Sequence, residues 1–387
     1  TLTALVGPDG AGKTTLMRMM AGLLRPETGS LHVLGTDMAT DPQSVQNRIS
    51  YMPQRFGLYE DLSVQENLDL YADLHGVPAD TRSQRYARLL EMTDLGRFTG
   101  RLAGKLSGGM KQKLGLACTL VRVPELLLLD EPSVGVDPLS RRDLWLIIEQ
   151  LIADEGLSVI VSTAYMDEAE RCDHVFVLNR GRLLADGTPV ELTARARGLT
   201  HVATPAEGVP ARALQARLID RPDMVVDAVP SGGEVRFIRQ PGCDAAKLDA
   251  LLRDCAAQPR EPELEDAFML LLREHDDGTA DATTPPPLAA RDIGPGDGGE
   301  GDDPVIMVRD LVRRFGDFTA VANTSFEVRR GEIFGLLGPN GAGKTTTFRM
   351  LCGLLPASSG ELRVAGVNLR HARAAARARI GYVAQKF

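Results

Sequence analysis

Apolar residues along this chain change their spacing from stretch to stretch, and the spacing predicts the elements. Leu2 to Val6, mostly apolar, reads as a strand leading into a glycine-rich loop, and Lys13 to Gly22 has helical spacing with a glycine stop. Leu31 to Leu34 reads as another strand, and Asp61 to Gly115 as a mostly helical block. PELLLLDEP at Pro124 to Pro132 sets four leucines before Asp130 and Glu131, the pattern of a parallel strand buried on both faces that delivers acids at its carboxyl end. After Leu192, MVVDAV (224–229) and EVRFIRQ (234–240), joined by Ser231-Gly232-Gly233, predict a β-hairpin. Two helices follow, the second over 262–275. Residues 276–304 lose all such spacing and are rich in Pro, Gly and Asp, which predicts a disordered acidic linker.

The pattern also repeats. GPDGAGKTT at Gly7 to Thr15 returns as GPNGAGKTT at Gly338 to Thr346, and the offset of 331 residues holds from Gly7/Gly338 through Gly35/Gly366 to Gln54/Gln385. Each copy fits G-x-x-x-x-G-K-[ST], so Gly7, Asp9, Gly10, Ala11, Gly12, Lys13, Thr14 and Thr15 are candidate ATP-binding residues. In the second copy they are Gly338, Asn340, Gly341, Ala342, Gly343, Lys344, Thr345 and Thr346. Glycines let backbone N–H groups close on phosphates, the lysines reach the β and γ oxygens, and Thr14 and Thr345 are placed to hold Mg²⁺. The following helix points its positive end at the same anions. RMMAGLLRPETG (18–29) matches RMLCGLLPASSG (349–360), and ISYMPQRF (49–56) matches IGYVAQKF (380–387), where the chain stops. What Val305 to Gly331 supply to the second copy has no counterpart ahead of the first. The expectation is an internal fragment of a longer protein whose second copy is truncated and continues for more than another hundred residues.

Composition narrows the class. The chain has 387 residues, 43% of them hydrophobic, which fits two or three soluble globular domains. Cys118, Cys172, Cys243, Cys255 and Cys352 have no paired metal spacing and read as packing residues in a reducing compartment. Apolar stretches such as Leu144 to Ile148 fall far short of the ~20 residues that cross a bilayer. A net charge of −8 argues against a broad nucleic-acid surface.

Two further stretches carry chemistry. Asp130 is placed to reach Mg²⁺ through water, and Glu131 to act as base or orienter for an attacking water. LSGGMKQ at Leu106 to Gln112 offers the Ser107 hydroxyl and the bare N–H groups of Gly108 and Gly109 at a helix start, which serves as an N-cap and turn and also as an anion nest.

Taken together, the two glycine loops, Gln54, LSGGMKQ, LLLLDEP and the turn at Val134 to Asp137 resemble the nucleotide-binding domain of ABC ATPases. The resemblance covers most of the chain. It implies an α/β P-loop NTPase fold, a mixed sheet core plus a helical subdomain at about 57–118, duplicated with the second copy truncated. The expected domains are 1–200, a small α+β extension at 201–275, the linker at 276–304 and the start of a second cassette at 305–387. By position the resemblance makes Gln54 and Gln385 ligands of Mg²⁺ that sense the γ-phosphate, Glu131 the catalytic base, and Phe315 in RRFG a ring stacked on the second adenine. An ordinary core phenylalanine is the other reading of Phe315. Cassettes of this family enclose each ATP between the loop of one and the LSGG of the other. One departure stands out: the family's S-T-H pattern is VSTAYMDEAE here, with Ala164 in place of histidine, so the first site is expected to bind ATP and hydrolyse it slowly. His174 is expected to be structural.

The resemblance extends to partners. RFGLYEDL, GRLAGKLSGGMKQKLGLACTLV and the Leu264 to Phe268 pattern LEDAF are similar to tandem ATP-binding subunits of bacterial ABC-2-type multidrug exporters. That implies ATP and Mg²⁺ as cofactors, ABC-2-type permease subunits as partners, a periplasmic adaptor of the membrane-fusion type, and a cytoplasmic position on the inner face of the plasma membrane. PQRFGLYEDLSVQENLDLYADLHG suits docking onto a short permease helix and equally suits a solvated helix with its apolar face in the core. The rival is a soluble tandem-cassette ATPase acting on ribosomes or DNA. A linker with few basic residues and residues 55–105 too short for a coiled coil disfavour it.

Overall fold

The computed structural model describes residues 1–54, 57–275, 304–339, 341–369 and 378–383. The linker expected over 276–304 lies outside the described residues save Pro304. The described chain divides into two compact units, one of 1–106, 111–134 and 144–275 and one of 107–110, 135–143 and 304–383.

In the first unit the run LTALV forms β1 (Leu2–Val6), with Ala4 and Val6 fully buried, and α1 (Lys13–Met20) follows. Gly22 at φ 71° sits just past the helix end, a backbone geometry that glycine adopts without strain. The strand expected over Leu31 to Leu34 is shorter, because β2 (His32–Val33) turns at once into β3 (Thr36–Asp37). Leu34 and Gly35 both take positive φ, at 50° and 79°, so the hairpin turn consumes the end of the apolar run. After α2 (Pro42–Gln46) comes β4 (Ile49–Met52).

The helical block holds α3 (Val64–Leu74), α4 (Ala79–Thr93) and α5 (Gly108–Thr119). α3 starts on a capping box, in which the Ser63 hydroxyl accepts from Glu66 N–H at 3.2 Å and the Ser63 N–H donates to the Glu66 carboxylate at 2.7 Å. Arg85 of α4 pairs at 2.8 Å with Glu155 at the end of α6 (Pro138–Glu155). The four leucines form β5 (Leu126–Asp130), every residue of it buried. Then come β6 (Ser158–Thr163), α7 (Met166–Ala169), β7 (His174–Asn179), β8 (Arg182–Gly187) and α8 (Pro189–Thr193). The sheet order is β4-β5-β6-β1-β7-β8, parallel throughout except for the antiparallel β8 at one edge. This is the mixed α/β sheet expected, with the loop and acids gathered at the carboxyl ends of parallel strands.

The tail of this unit is a second, antiparallel sheet. β9 (Thr200–Thr204), α9 (Ala211–Ile219), β10 (Val225–Ser231), β11 (Glu234–Arg239), α10 (Ala245–Leu251), β12 (Ala256–Pro259) and α11 (Leu264–Glu274) give the order β10-β11-β9-β12. Alternation along β11 sends Val235 and Phe237 into the core with Leu214 and Leu218 of α9, and Ile238 into the cluster with Ala267 and Leu270 of α11. β12 is unforeseen: AAQP has no alternation, all four residues are exposed, and pairing with β9 alone makes it a strand.

The second unit carries β13 (Ile306–Phe315), β14 (Phe318–Val328), α12 (Lys344–Leu351), β15 (Ser359–Val364) and β16 (Val367–Asn368), in the order β14-β13-β15-β16. By the constant offset, Ile333 to Leu337 corresponds to β1, yet it forms no strand and leaves Ile333 and Leu337 exposed. β1 is held by β6 and β7.

Candidate nucleotide-binding and hydrolysis site

The first glycine loop leaves β1 at Val6 and enters α1 at Lys13. Gly7 is held so close to the neighbouring strand that an added Cβ would lie 2.1 Å from the Leu178 carbonyl oxygen, and Gly10 takes φ 79°. Lys13, only 4% exposed, folds back over the loop. Its Nζ donates to the Gly7 carbonyl at 2.8 Å and the Pro8 carbonyl at 3.1 Å, and pairs with Glu131 Oε1 at 3.2 Å.

Opposite the loop stand the two acids. β5 and β6 run parallel in a register that sets Asp130 beside Ser162. Asp130 is 1% exposed, and its Oδ1 accepts from Ser162 Oγ at 2.6 Å and from Thr14 Oγ1 at 3.1 Å. Its Oδ2 accepts from the Tyr51 hydroxyl at 3.2 Å. Burial, reinforced by the Asp130 carboxylate, pushes the Tyr51 phenol above its ordinary pKa, so it stays a proton donor. Glu131 sits at φ 49°, a left-handed geometry unusual for a residue with a side chain. Its N–H is fixed by the Ser162 carbonyl at 3.1 Å and hydroxyl at 2.9 Å. The Glu131 carboxylate is shared between Lys13 and Gln54, whose Nε2 donates at 2.6 Å. Lys13, Thr14, Gln54, Asp130 and Glu131 thus converge, as do two residues that motif reading passed over, Tyr51 and Ser162.

The donor set fits magnesium. A hydroxyl at Thr14, a side-chain carbonyl at Gln54 and a carboxylate at Asp130 are hard oxygen ligands, and Mg²⁺ keeps several waters and substrate oxygens in its shell. No group of three His, Cys, Asp or Glu side chains that could hold a metal occurs among the described residues.

The other candidates fall as follows. Asp9 and Thr15 are exposed. Ser107 caps α5, its hydroxyl accepting from Met110 N–H at 3.3 Å, and an added Cβ on Gly109 would meet Ser140 Oγ at 2.3 Å. Ser140 is itself held by Asp137 through its hydroxyl at 2.8 Å and its N–H at 3.2 Å. In the second loop Lys344 Nζ donates to the Gly338 carbonyl and, at 2.8 Å, to the Pro339 carbonyl, with Gly341 and Gly343 at φ 85° and 87°. Phe315 ends β13, half exposed, with the Arg313 guanidinium 4.5 Å from its ring centre. Asn340 and Gln385 lie outside the described residues. Ala164 follows β6 and, with Gly7 and Pro8, lines a cavity of about 440 Å³. His174 rests on Phe176 at 4.9 Å between ring centres and lies 3.5 Å from Asp186.

Sequence comparison agrees with this geometry. The ABC transporter family model matches residues 1–134 and 321–387. The chain is similar to the "Probable multidrug ABC transporter ATP-binding protein YbhF" of Escherichia coli (strain K12), at 50% identity over 389 residues that cover 100% of this chain and 65% of that protein. It is 41% identical over 189 residues to the daunorubicin/doxorubicin resistance ATP-binding protein DrrA of Streptomyces peucetius, covering 49% of this chain and 57% of the relative. The Nod factor export ATP-binding protein I of Ralstonia nicotianae is 35% identical over 278 residues, 69% of this chain and 84% of that one. The chain therefore spans about two thirds of the Escherichia coli relative and less of the Streptomyces one.

Gly7→Ala must push the loop off Leu178. With Lys344→Ala silencing the second loop, titration with a fluorescent ATP analogue is expected to show at least about tenfold weaker binding, roughly 1.4 kcal/mol, with circular dichroism unchanged.

Proposed function

Because the chain belongs to the ABC transporter family, we propose that it binds and hydrolyses ATP to drive export through a membrane-spanning permease, with small drug-like molecules as cargo. The observation that carries this reading is the convergence of Lys13, Thr14, Gln54, Asp130 and Glu131 at the carboxyl ends of β1, β4 and β5. The word export in the name of the Ralstonia nicotianae relative and drug resistance in that of the Streptomyces peucetius one favour outward transport. No helix among the described residues is long and apolar enough to cross a membrane, so the path for cargo is assigned to partner subunits. We take these to be ABC-2-type permeases with a periplasmic adaptor, which places the protein on the inner face of the plasma membrane.

The resting contacts define the steps. Lys13 now spends its charge on Glu131 and two loop carbonyls; arriving β- and γ-phosphates replace them as its partners. Glu131, released from Lys13, turns to the attacking water with Gln54 beside it and accepts a proton as the γ-phosphoryl bond to ADP breaks. Thr14, Gln54 and Asp130 would hold Mg²⁺, which would offset the charge of the phosphate oxygens. Ser107, Gly108 and Gly109 present the second nest of N–H groups to the nucleotide of a facing cassette. Phe315 offers its ring to that adenine.

Ala164 leaves the first site without the side-chain donor that its family position carries. The second site is therefore the main hydrolytic one. A groove of about 280 Å³ lined by Leu23, Ser50, Tyr51, Tyr71, His75 and Thr119 is the proposed seat of a permease helix. Its Ser50 hydroxyl is buried without a hydrogen-bond partner, and burial, then the Arg122 charge, lowers the His75 pKa so that the ring enters the contact neutral.

Three experiments test this. Detergent pull-down of the intact protein from its own membranes should recover multi-span permeases; recovery of ribosomes or nucleic acid alone would overturn the export reading. Glu131→Gln should retain ATP binding while the first site's hydrolysis falls about 10²- to 10⁴-fold in single-turnover assays. Lys344→Ala should reduce steady-state turnover far more than Lys13→Ala, and equal losses would refute the asymmetry.

A further inference from the structure

We propose that Tyr51 is a positioning residue for Asp130, an inference that rests on reading the site as one for a magnesium nucleotide. Asp130 is 1% exposed, and protein donors surround its carboxylate. Three reach it: Ser162 and Thr14 on Oδ1, Tyr51 on Oδ2. The Thr14 oxygen could ligate a metal through a lone pair while its proton stays on Oδ1. Oδ1 is then held by Thr14 and by Ser162 from β6, and the donor that reaches Oδ2 is Tyr51 from β4; β6 and β4 are the strands on either side of Asp130 in the sheet. Donors on both oxygens fix the plane of the carboxylate, whereas donors on one leave it free to swing about the Cβ–Cγ bond, a broad torsion.

The direction of the Tyr51 proton is also set. An ionised carboxylate only accepts, so the single phenol proton lies in the bond to Asp130. The internal repeat carries the tyrosine again, Tyr51 returning as Tyr382. Residues flanking the tyrosine are not kept: Ser50, Met52 and Pro53 become Gly381, Val383 and Ala384. A tyrosine that only filled space would not require its hydroxyl at the same register in both copies.

The test is metal affinity in the intact protein, with Lys344→Ala silencing the second loop and Mn²⁺ standing in for Mg²⁺. Paramagnetic resonance reads bound Mn²⁺ in the presence of a non-hydrolysable ATP analogue. Tyr51→Phe is expected to raise the half-saturating Mn²⁺ concentration about fivefold to tenfold, the scale of one lost hydrogen bond to a charged group, while analogue binding without metal stays the same. Unchanged Mn²⁺ affinity in Tyr51→Phe overturns the proposal, whatever happens to melting temperature. Failure of the Tyr51 parent to bind analogue with Mn²⁺ would instead overturn the reading of the site itself.

Discussion

A lysine ammonium shut away from water governs the first site. Moving such a charge out of solvent is costly unless partners surround it, and removing one partner of a buried pair leaves the other uncompensated. Lys13 meets this demand with two loop carbonyls and Glu131, and Glu131 in turn holds Gln54. An anion that enters the loop would therefore compete with the carboxylate for the ammonium. Lys344 also curls onto the Gly338 and Pro339 carbonyls. In the first site the carboxylate comes from a distant strand.

That distant strand is delivered by parallel pairing. Val6 lies beside Thr163 and Asp130 beside Ser162, so loop, acids and serine leave the sheet on one side. LTALV between β6 and β7 is a fully paired core strand. Strand preference expresses packing on a pleated surface.

The same dependence explains what could be read from the chain. Lys13, Thr14, Asp130 and Glu131 were legible because glycine spacing and a four-leucine run are local signals with a chemical meaning. The hairpin of β10 and β11 and the helix α11 were legible from period alone. Ser162 and Tyr51 were not, since their contacts with Asp130 come from strands 32 and 79 residues away in the chain. A signal for Tyr51 did exist in the repeat, where it holds its register while its neighbours change. β12 had no signal, because an exposed AAQP segment becomes a strand only when β9 offers it an edge.

β4 joins these threads. Its Tyr51 touches Asp130 on one side and lines the groove on the other, and Gln54, just past the strand end, holds Glu131. Both acids at the end of β5 are thus contacted from one short strand whose other surface is open to a partner. Coupling between two sites requires an element whose position both sites bias. A helix seated against Ser50 and Tyr51 would bear on β4 directly, and β4 cannot shift without moving a donor on Asp130 and a donor on Glu131 together. On the proposed reading, loss of the γ-phosphate would act on the same pair from the opposite direction, with Glu131 returning to Lys13 and drawing Gln54 with it.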